Sequence, residues 1–167
     1  MTTTLTKVLR RRFTLSRALY DDLVAELPPG ALALRLRDLP SSSIGGQLWC
    51  VLGARESFVR AARAGSWQGF TPPLTMDDAT HASAVRAALE ATSATVEGFL
   101  DEVDGADEAA LTYAIGLLEH EAQHHGQLIR YLYGLDIPRP ASWQRQYSLD
   151  ESPTRPSRCG PRRSSPM

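Results

Sequence analysis

The run His120-Glu121-Ala122-Gln123-His124-His125 holds three of the four histidines in this 167-residue chain. His120 and His124 stand four apart in a stretch with helical apolar spacing, so both imidazoles share one helix face and can meet at a single metal ion. The same letters satisfy the His-Glu-x-x-His pattern of zinc proteases, whose glutamate acts as general base. Two chemistries are therefore open: peptide hydrolysis at zinc, or a different metal site in a helical scaffold.

Residues set at about 100° steps around this helix separate an outward side, with Thr112, Glu119, Gln123 and Arg130, from an inner arc. The inner arc holds Leu117, Leu118, Leu128 and Leu132 together with His120, Glu121, His124 and His125. A carboxylate at Glu121 among leucines is costly unless a positive charge compensates it, and a bound cation or an imidazolium is the expected partner. A hydrogen-bonded cluster of core histidines is the alternative without metal. The protease reading is the weaker one. Such enzymes embed the motif in apolar residues, and they need a third ligand downstream and a sheet edge to hold a peptide. Here Glu119, Gln123 and His125 surround the motif, the only acids downstream are Asp136, Asp150 and Glu151, and no sheet is legible.

A third ligand can come from an earlier helical stretch. One side of it carries Ile44, Leu48, Val51, Leu52, Phe58 and Val59, and another the small residues Gly46, Cys50, Gly53 and Ser57. Small residues at three-and-four spacing let a neighbouring helix approach closely, which puts Cys50 on a contact face.

Ser43-Ile44-Gly45, with Cys50 seven residues after the serine, resembles the second-helix motif of the DinB-like (DinB/YfiT) superfamily, where a histidine typically stands at the Cys50 position. His120-x-x-x-His124 followed by Gly126-Gln127 resembles that family's paired-histidine motif on the last helix. With the helix layout, the resemblance spans nearly all of residues 5–150. It implies a four-helix bundle holding a divalent metal, zinc or nickel, on Cys50, His120 and His124 with one open position. It also implies a low-molecular-weight thiol as cofactor, a small-molecule substrate acted on by a thiol-dependent transferase or a hydrolase, and a homodimer. Cysteine in place of histidine leaves three roles open for Cys50: metal ligand, nucleophile activated by His120 or His124, or the mark of a site that has lost its metal. Glu121 and His125 are candidates for supporting the ligands or transferring a proton. Gln47 and Gln127 are candidates for orienting water or substrate. The competing function is a non-catalytic, stress-associated dimeric binding module whose histidine cluster is structural.

The elements that must position these residues follow from periodicity and punctuation. Apolar residues from Leu5 to Leu27 recur at three-and-four spacing and stop at Pro28-Pro29-Gly30. A second helix follows the serines Ser41 to Ser43 and runs to Ala64, with Gly65 as its stop. Thr75-Met76-Asp77-Asp78 has the form of a capping box, which starts a third helix at Asp77 and carries it to Glu102. Asp104-Gly105 makes a turn, and the fourth helix spans Asp107 to Tyr133, with Gly134 and Pro138 beyond. Ala31 to Leu36 reads as a short extended piece. Helices three and four, joined tightly, are antiparallel neighbours, whereas the long connection from Gly65 to Met76 allows a crossover between helices 2 and 3. The expected fold class is all-α, a DinB/YfiT-like four-helix bundle over residues 1–150. Trp143 and Tyr147 fold back on it as apolar anchors. Residues 151–167, rich in proline, serine and arginine, form a disordered tail.

Composition narrows the function classes. The net charge is −1; four arginines against one glutamate give residues 151–167 a charge of +3, which leaves −4 for residues 1–150. An acidic body gives no footprint for nucleic acid. Two cysteines, Cys50 and Cys159, suggest no disulfide framework, and no apolar run approaches a membrane span. A soluble cytoplasmic protein is expected. His81, early in the third helix, is expected at the surface or at a helix cap.

Overall fold

The computed structural model describes residues 4–37, 39–103 and 107–150. In chain order the elements are α1 (Thr4–Glu26), a 3-10 turn (Ala31–Ala33), α2 (Ile44–Ala64), a second 3-10 turn (Asp78–Thr80), α3 (Ala82–Glu102), α4 (Glu108–Gly134) and α5 (Ala141–Tyr147). Among the described residues there is no strand, and Arg35 and Ser43 form an isolated antiparallel bridge. The fold is all-α, as the periodicity implies. The expected Asp104-Gly105 turn and the 151–167 tail lie outside the described residues.

Each long helix buries the face its spacing marks. α1 turns Leu9, Phe13, Ser16, Leu19, Tyr20, Leu23 and Val24 inward. α2 is capped by Ser43, whose hydroxyl accepts from the Gly46 N–H at 3.0 Å, and it ends at Gly65, where φ is +71° and only glycine is unstrained. Asp107 caps α4 through the Ala110 N–H. α2 packs against α3 and α4, and α1 packs against the same two helices, so each long helix has two long neighbours. α3 and α4 stand across the bundle from each other rather than side by side as their short connection suggests, because α1 and α2 fill the space between them.

Two apolar clusters fill the interior. One gathers Leu19, Tyr20, Leu48, Leu52, Leu89, Leu128 and Trp143, and the other Leu9, Phe13, Val59, Val96, Phe99 and Leu117. Each long helix carries a buried polar residue where the chain passes from one cluster to the other: Ser16, Arg55, Thr92 with Ser93, and Glu121. A polar layer therefore cuts across the core.

The third helix begins later than expected. Thr75 and Asp78 do form the reciprocal bonds of a capping box, Asp78 N–H to Thr75 Oγ1 at 3.1 Å and Thr75 N–H to Asp78 Oδ2 at 3.2 Å. They open only the 3-10 turn; the chain is extended at His81, and α3 starts at Ala82. Tertiary contact overrides the local signal, because the buried Ala79 sits against α2 so closely that a Cβ at Gly45 would collide with the Ala79 carbonyl. His81 itself is exposed, with Nδ1 3.2 Å from the Asp77 carbonyl.

α5 is the anchor expected of Trp143 and Tyr147, in helical form. Trp143 is fully buried, and its indole N–H donates to the Leu19 carbonyl at 2.7 Å. Ala31 to Leu36 is a 3-10 turn followed by the bridge residue Arg35 rather than a continuous extended piece.

Candidate metal centre

Because α2 lies along α4, Cys50 meets the face that carries His120 and His124. The Cys50 Sγ is 3.7 Å from His120 Nε2, and the rings of His120 and His124 are 4.5 Å apart between centroids. Ligand atoms from all three residues lie within 4.8 Å of one another. In a tetrahedral zinc site a sulfur and a nitrogen ligand stand about 3.6 Å apart, so the Cys50–His120 separation already matches.

The protonation states suit coordination by the histidines. Burial lowers the pKa of His120, and burial together with the neighbouring His120 and His125 pushes His124 down to about 4. Both are neutral near pH 7 and offer a lone pair. His124 Nδ1–H donates to Gln47 Oε1 at 2.8 Å, which orients the ring and leaves Nε2 as the free acceptor. His120 Nδ1 is buried with no hydrogen-bond partner among the described residues, while its Nε2 faces the Cys50 thiol. Burial raises the Cys50 thiol, which keeps it protonated until a cation draws the proton off. Three donor side chains, each with one ligand atom within reach of the other two, fit a metal ion. Cys50 and His120 are half-buried, so a fourth position is open to solvent on that side.

Aromatic rings wall the His120 side. Phe58 lies 6.2 Å from the His120 ring, Trp67 and Tyr113 meet Phe58 edge-on, and Trp49 packs on Phe70 at 5.0 Å. Trp67 and Phe70 remain 50% and 41% exposed. The small face of α2 receives this connection rather than a helix: the Phe70 ring occupies the space a Cβ on Gly53 would need, and Ser57 Oγ accepts from the Thr71 N–H at 2.9 Å. Cys50 alone on that stripe faces α4.

Glu121 and His125 are engaged elsewhere. Glu121 is fully buried, as the helical arc requires, yet its compensating charge is neither a metal nor an imidazolium. It is the guanidinium of Arg55, whose Nε donates to Oε1 at 2.6 Å and whose Nη1 reaches Ser93 Oγ at 3.0 Å. Burial opposes the charge on Arg55, but Glu121 outweighs it and holds the guanidinium above its usual range. The Ser16 hydroxyl donates to Glu121 Oε2, Tyr20 OH donates to the Glu121 carbonyl, and Tyr147 OH donates to His125 Nδ1 at 2.6 Å. Burial, despite Glu121, pushes His125 down to about 4, so the ring is neutral and its Nε2–H faces Ser16 Oγ at 3.2 Å. Bonds thus run in one direction from Tyr147 through His125 and Ser16 to the Glu121–Arg55 pair. A carboxylate with both oxygens committed in this way is not a free general base, which removes the chemical basis of the protease reading.

Arg55, Ser16, Tyr20 and Tyr147 were not singled out by spacing as site residues. The signal for Arg55 was present: it interrupts the apolar stripe of α2 between Val51 and Val59, four residues from each. Gln47 and Gln127 come together on one cleft with Arg130, Tyr131, Leu36 and residues 39–42. No helix of the described residues is long and apolar enough to cross a membrane. In comparisons with known proteins, no family model, no curated protein and no solved structure matches the chain.

Proposed function

We infer that the chain is a metal-dependent enzyme of the DinB-like kind, a four-helix bundle with a crossover between α2 and α3, which transfers a low-molecular-weight thiol to a small electrophile or hydrolyses one. The observation that carries this reading is the convergence of Cys50, His120 and His124, from two helices, within 4.8 Å. A set of one thiolate and two imidazoles favours zinc over harder cations, with nickel as the other candidate. When bound, the metal supplies Lewis acidity, lowering the pKa of a water or thiol at the open position.

The chain's own residues do the rest. On loading, Cys50 would give up its proton, Gln47 holds His124 in the tautomer that leaves Nε2 free, and His120 turns Nε2 toward the Cys50 thiol. Phe58, Trp67 and Tyr113 shield one side from water. Gln47 and Gln127 face the cleft where a substrate sits. In the transfer itself, the thiol sulfur bonds to the electrophilic carbon, the bond from that carbon to its leaving group breaks, and the thiol proton departs with the leaving group. A homodimer and a cytoplasmic setting belong to this reading.

The test is metal analysis of protein purified without chelator, with Cys50→Ala and His124→Ala beside it. About one zinc or nickel per chain, sharply reduced in both variants, together with thiol-dependent turnover, supports the reading. Protein that stays metal-free in excess zinc and nickel overturns it. Metal without turnover in any thiol points instead to a non-catalytic binding module.

A further inference from the structure

The cleft beside His124 has a chemical character of its own. Its volume is about 460 Å³, within the range of small-molecule sites. Gln47 joins it to the metal centre, since the amide that lines the cleft also accepts from His124 Nδ1. With its oxygen so engaged, the Gln47 amide has its two N–H donors left for the cleft. Gln127 adds a second amide and Ser42 a hydroxyl. Arg130, exposed on α4, brings a guanidinium that pairs with no carboxylate among the described residues. No aspartate or glutamate is among the described residues that line the cleft, whereas Leu36, Leu39 and Pro40 make an apolar wall.

The walls are held in place. Tyr131 OH donates to the Ser42 carbonyl, the Leu36 N–H donates to Ser41 Oγ at 3.1 Å, and Ile44 N–H donates to the Leu34 carbonyl at 3.0 Å. A preformed cleft with one guanidinium, donors in excess of acceptors and one greasy side selects a particular ligand. The opening of about 200 Å³ between α2, α3 and α4 differs, because Glu102 and Asp107 line it and Arg63 is already paired with Glu102. The cavity at Ser16 and Tyr147, about 30 Å³, holds no more than a water.

We propose that this cleft binds a small carboxylate with an apolar body, the carboxylate on Arg130 and the Gln47 and Gln127 amides, the body on Leu36, Leu39 and Pro40. The proposal deepens the enzymatic reading and rests on it for its meaning: the carboxylate belongs to the thiol or to its acceptor, and Gln47 places it one residue away from a metal ligand. Binding itself is a property of the cleft and does not need the metal.

The test uses the full chain, 15N-labelled, titrated with 3-phenylpropionate and with the neutral isostere 3-phenylpropionamide, in metal-free and zinc-treated protein at constant ionic strength. The carboxylate should shift the side-chain amide signals of Gln47 and Gln127 and the Arg130 Nε–H signal in both preparations. It should bind about tenfold or more tightly than the amide, the difference a charge-assisted pair makes. Arg130→Gln, on an exposed position that leaves folding intact, should abolish that preference while the amide binds as before. Equal affinity for the two ligands, a preference that survives Arg130→Gln, shifts confined to other residues, or no binding at millimolar ligand would each overturn the proposal. Carboxylate binding seen only after zinc treatment also overturns it, since the metal would then be the receptor. Failure of the enzymatic reading looks different: the protein takes up no metal, yet the carboxylate still binds. Titrating a mercaptocarboxylate and a thiol without a carboxylate then shows whether the thiol or its acceptor brings the charge.

Discussion

Arg55→Met tests the assignment of Glu121 to the core rather than to the metal. The pair is 2.6 Å apart, with side chains 2% and 0% exposed, so removing the guanidinium leaves a carboxylate that water cannot reach. Breaking a buried pair from one side costs about 3–5 kcal/mol, against about 0–1 kcal/mol for an exposed pair. The loss should fall at the upper end, because Thr92 and Ser93 lose their guanidinium partner together with Glu121. For a chain of this size that is a drop in Tm of about 14 °C. Glu121→Gln should cost a similar amount, as it leaves the guanidinium unpaired instead. Replacing both residues by methionine removes both charges and should recover a large part of the loss. Urea denaturation with an unchanged slope measures all three, and zinc content measured on the folded fraction should equal that of the parent protein in each. A cost below about 1 kcal/mol for Arg55→Met would refute the buried-pair account. If Glu121→Gln emptied the metal site while stability held, the carboxylate would belong with the ligands after all.

Other outcomes follow from the same contacts. Zinc at about a hundred times its Kd should add about 2.7 kcal/mol to stability, and His124→Ala should remove that increment in thermal denaturation. Because Cys50 must release a proton on loading and its thiol is raised by burial, zinc affinity should weaken as pH falls, by about tenfold per pH unit for one proton, in calorimetric titrations. His124 and His125 titrate near 4 when folded and near 6.5 when unfolded, so between those values the unfolded chain binds more protons. Metal-free protein should therefore lose stability as pH is lowered through that window, by up to about 1.4 kcal/mol per pH unit for each histidine; a flat profile would contradict their burial as neutral groups. Trp143→Ala should cost about 3–5 kcal/mol and release α5, read as loss of protection of the His125 region in hydrogen exchange.

Much of the helical scaffold is legible in the chain because periodicity and punctuation are local. The spacing of Leu9, Phe13, Leu19, Leu23 and Val24 marks the buried face of α1, and Ser43 and Gly65 bracket α2 through bonds made within a few residues. The inward turn of Glu121 follows from the same arithmetic. The start of α3 does not, because docking of Ala79 on Gly45 stops the capping box after one 3-10 turn. Nor does the small stripe on α2 announce its neighbour; it meets Phe70 and Thr71 of a connection in place of a helix.

Helix geometry alone puts His120 and His124 on one face and makes Glu121 an inward carboxylate, since each statement concerns residues within two turns of one helix. What each of them meets depends on how helices pack, with partners 66 residues away for Arg55 and 105 for Ser16. Packing of α2 on α4 gives the histidine pair its thiol at Cys50 and gives Glu121 its cation at Arg55. A pattern that reads as one histidine–glutamate site thereby separates into a cluster of three side chains close enough to hold a metal ion and a polar layer of the core.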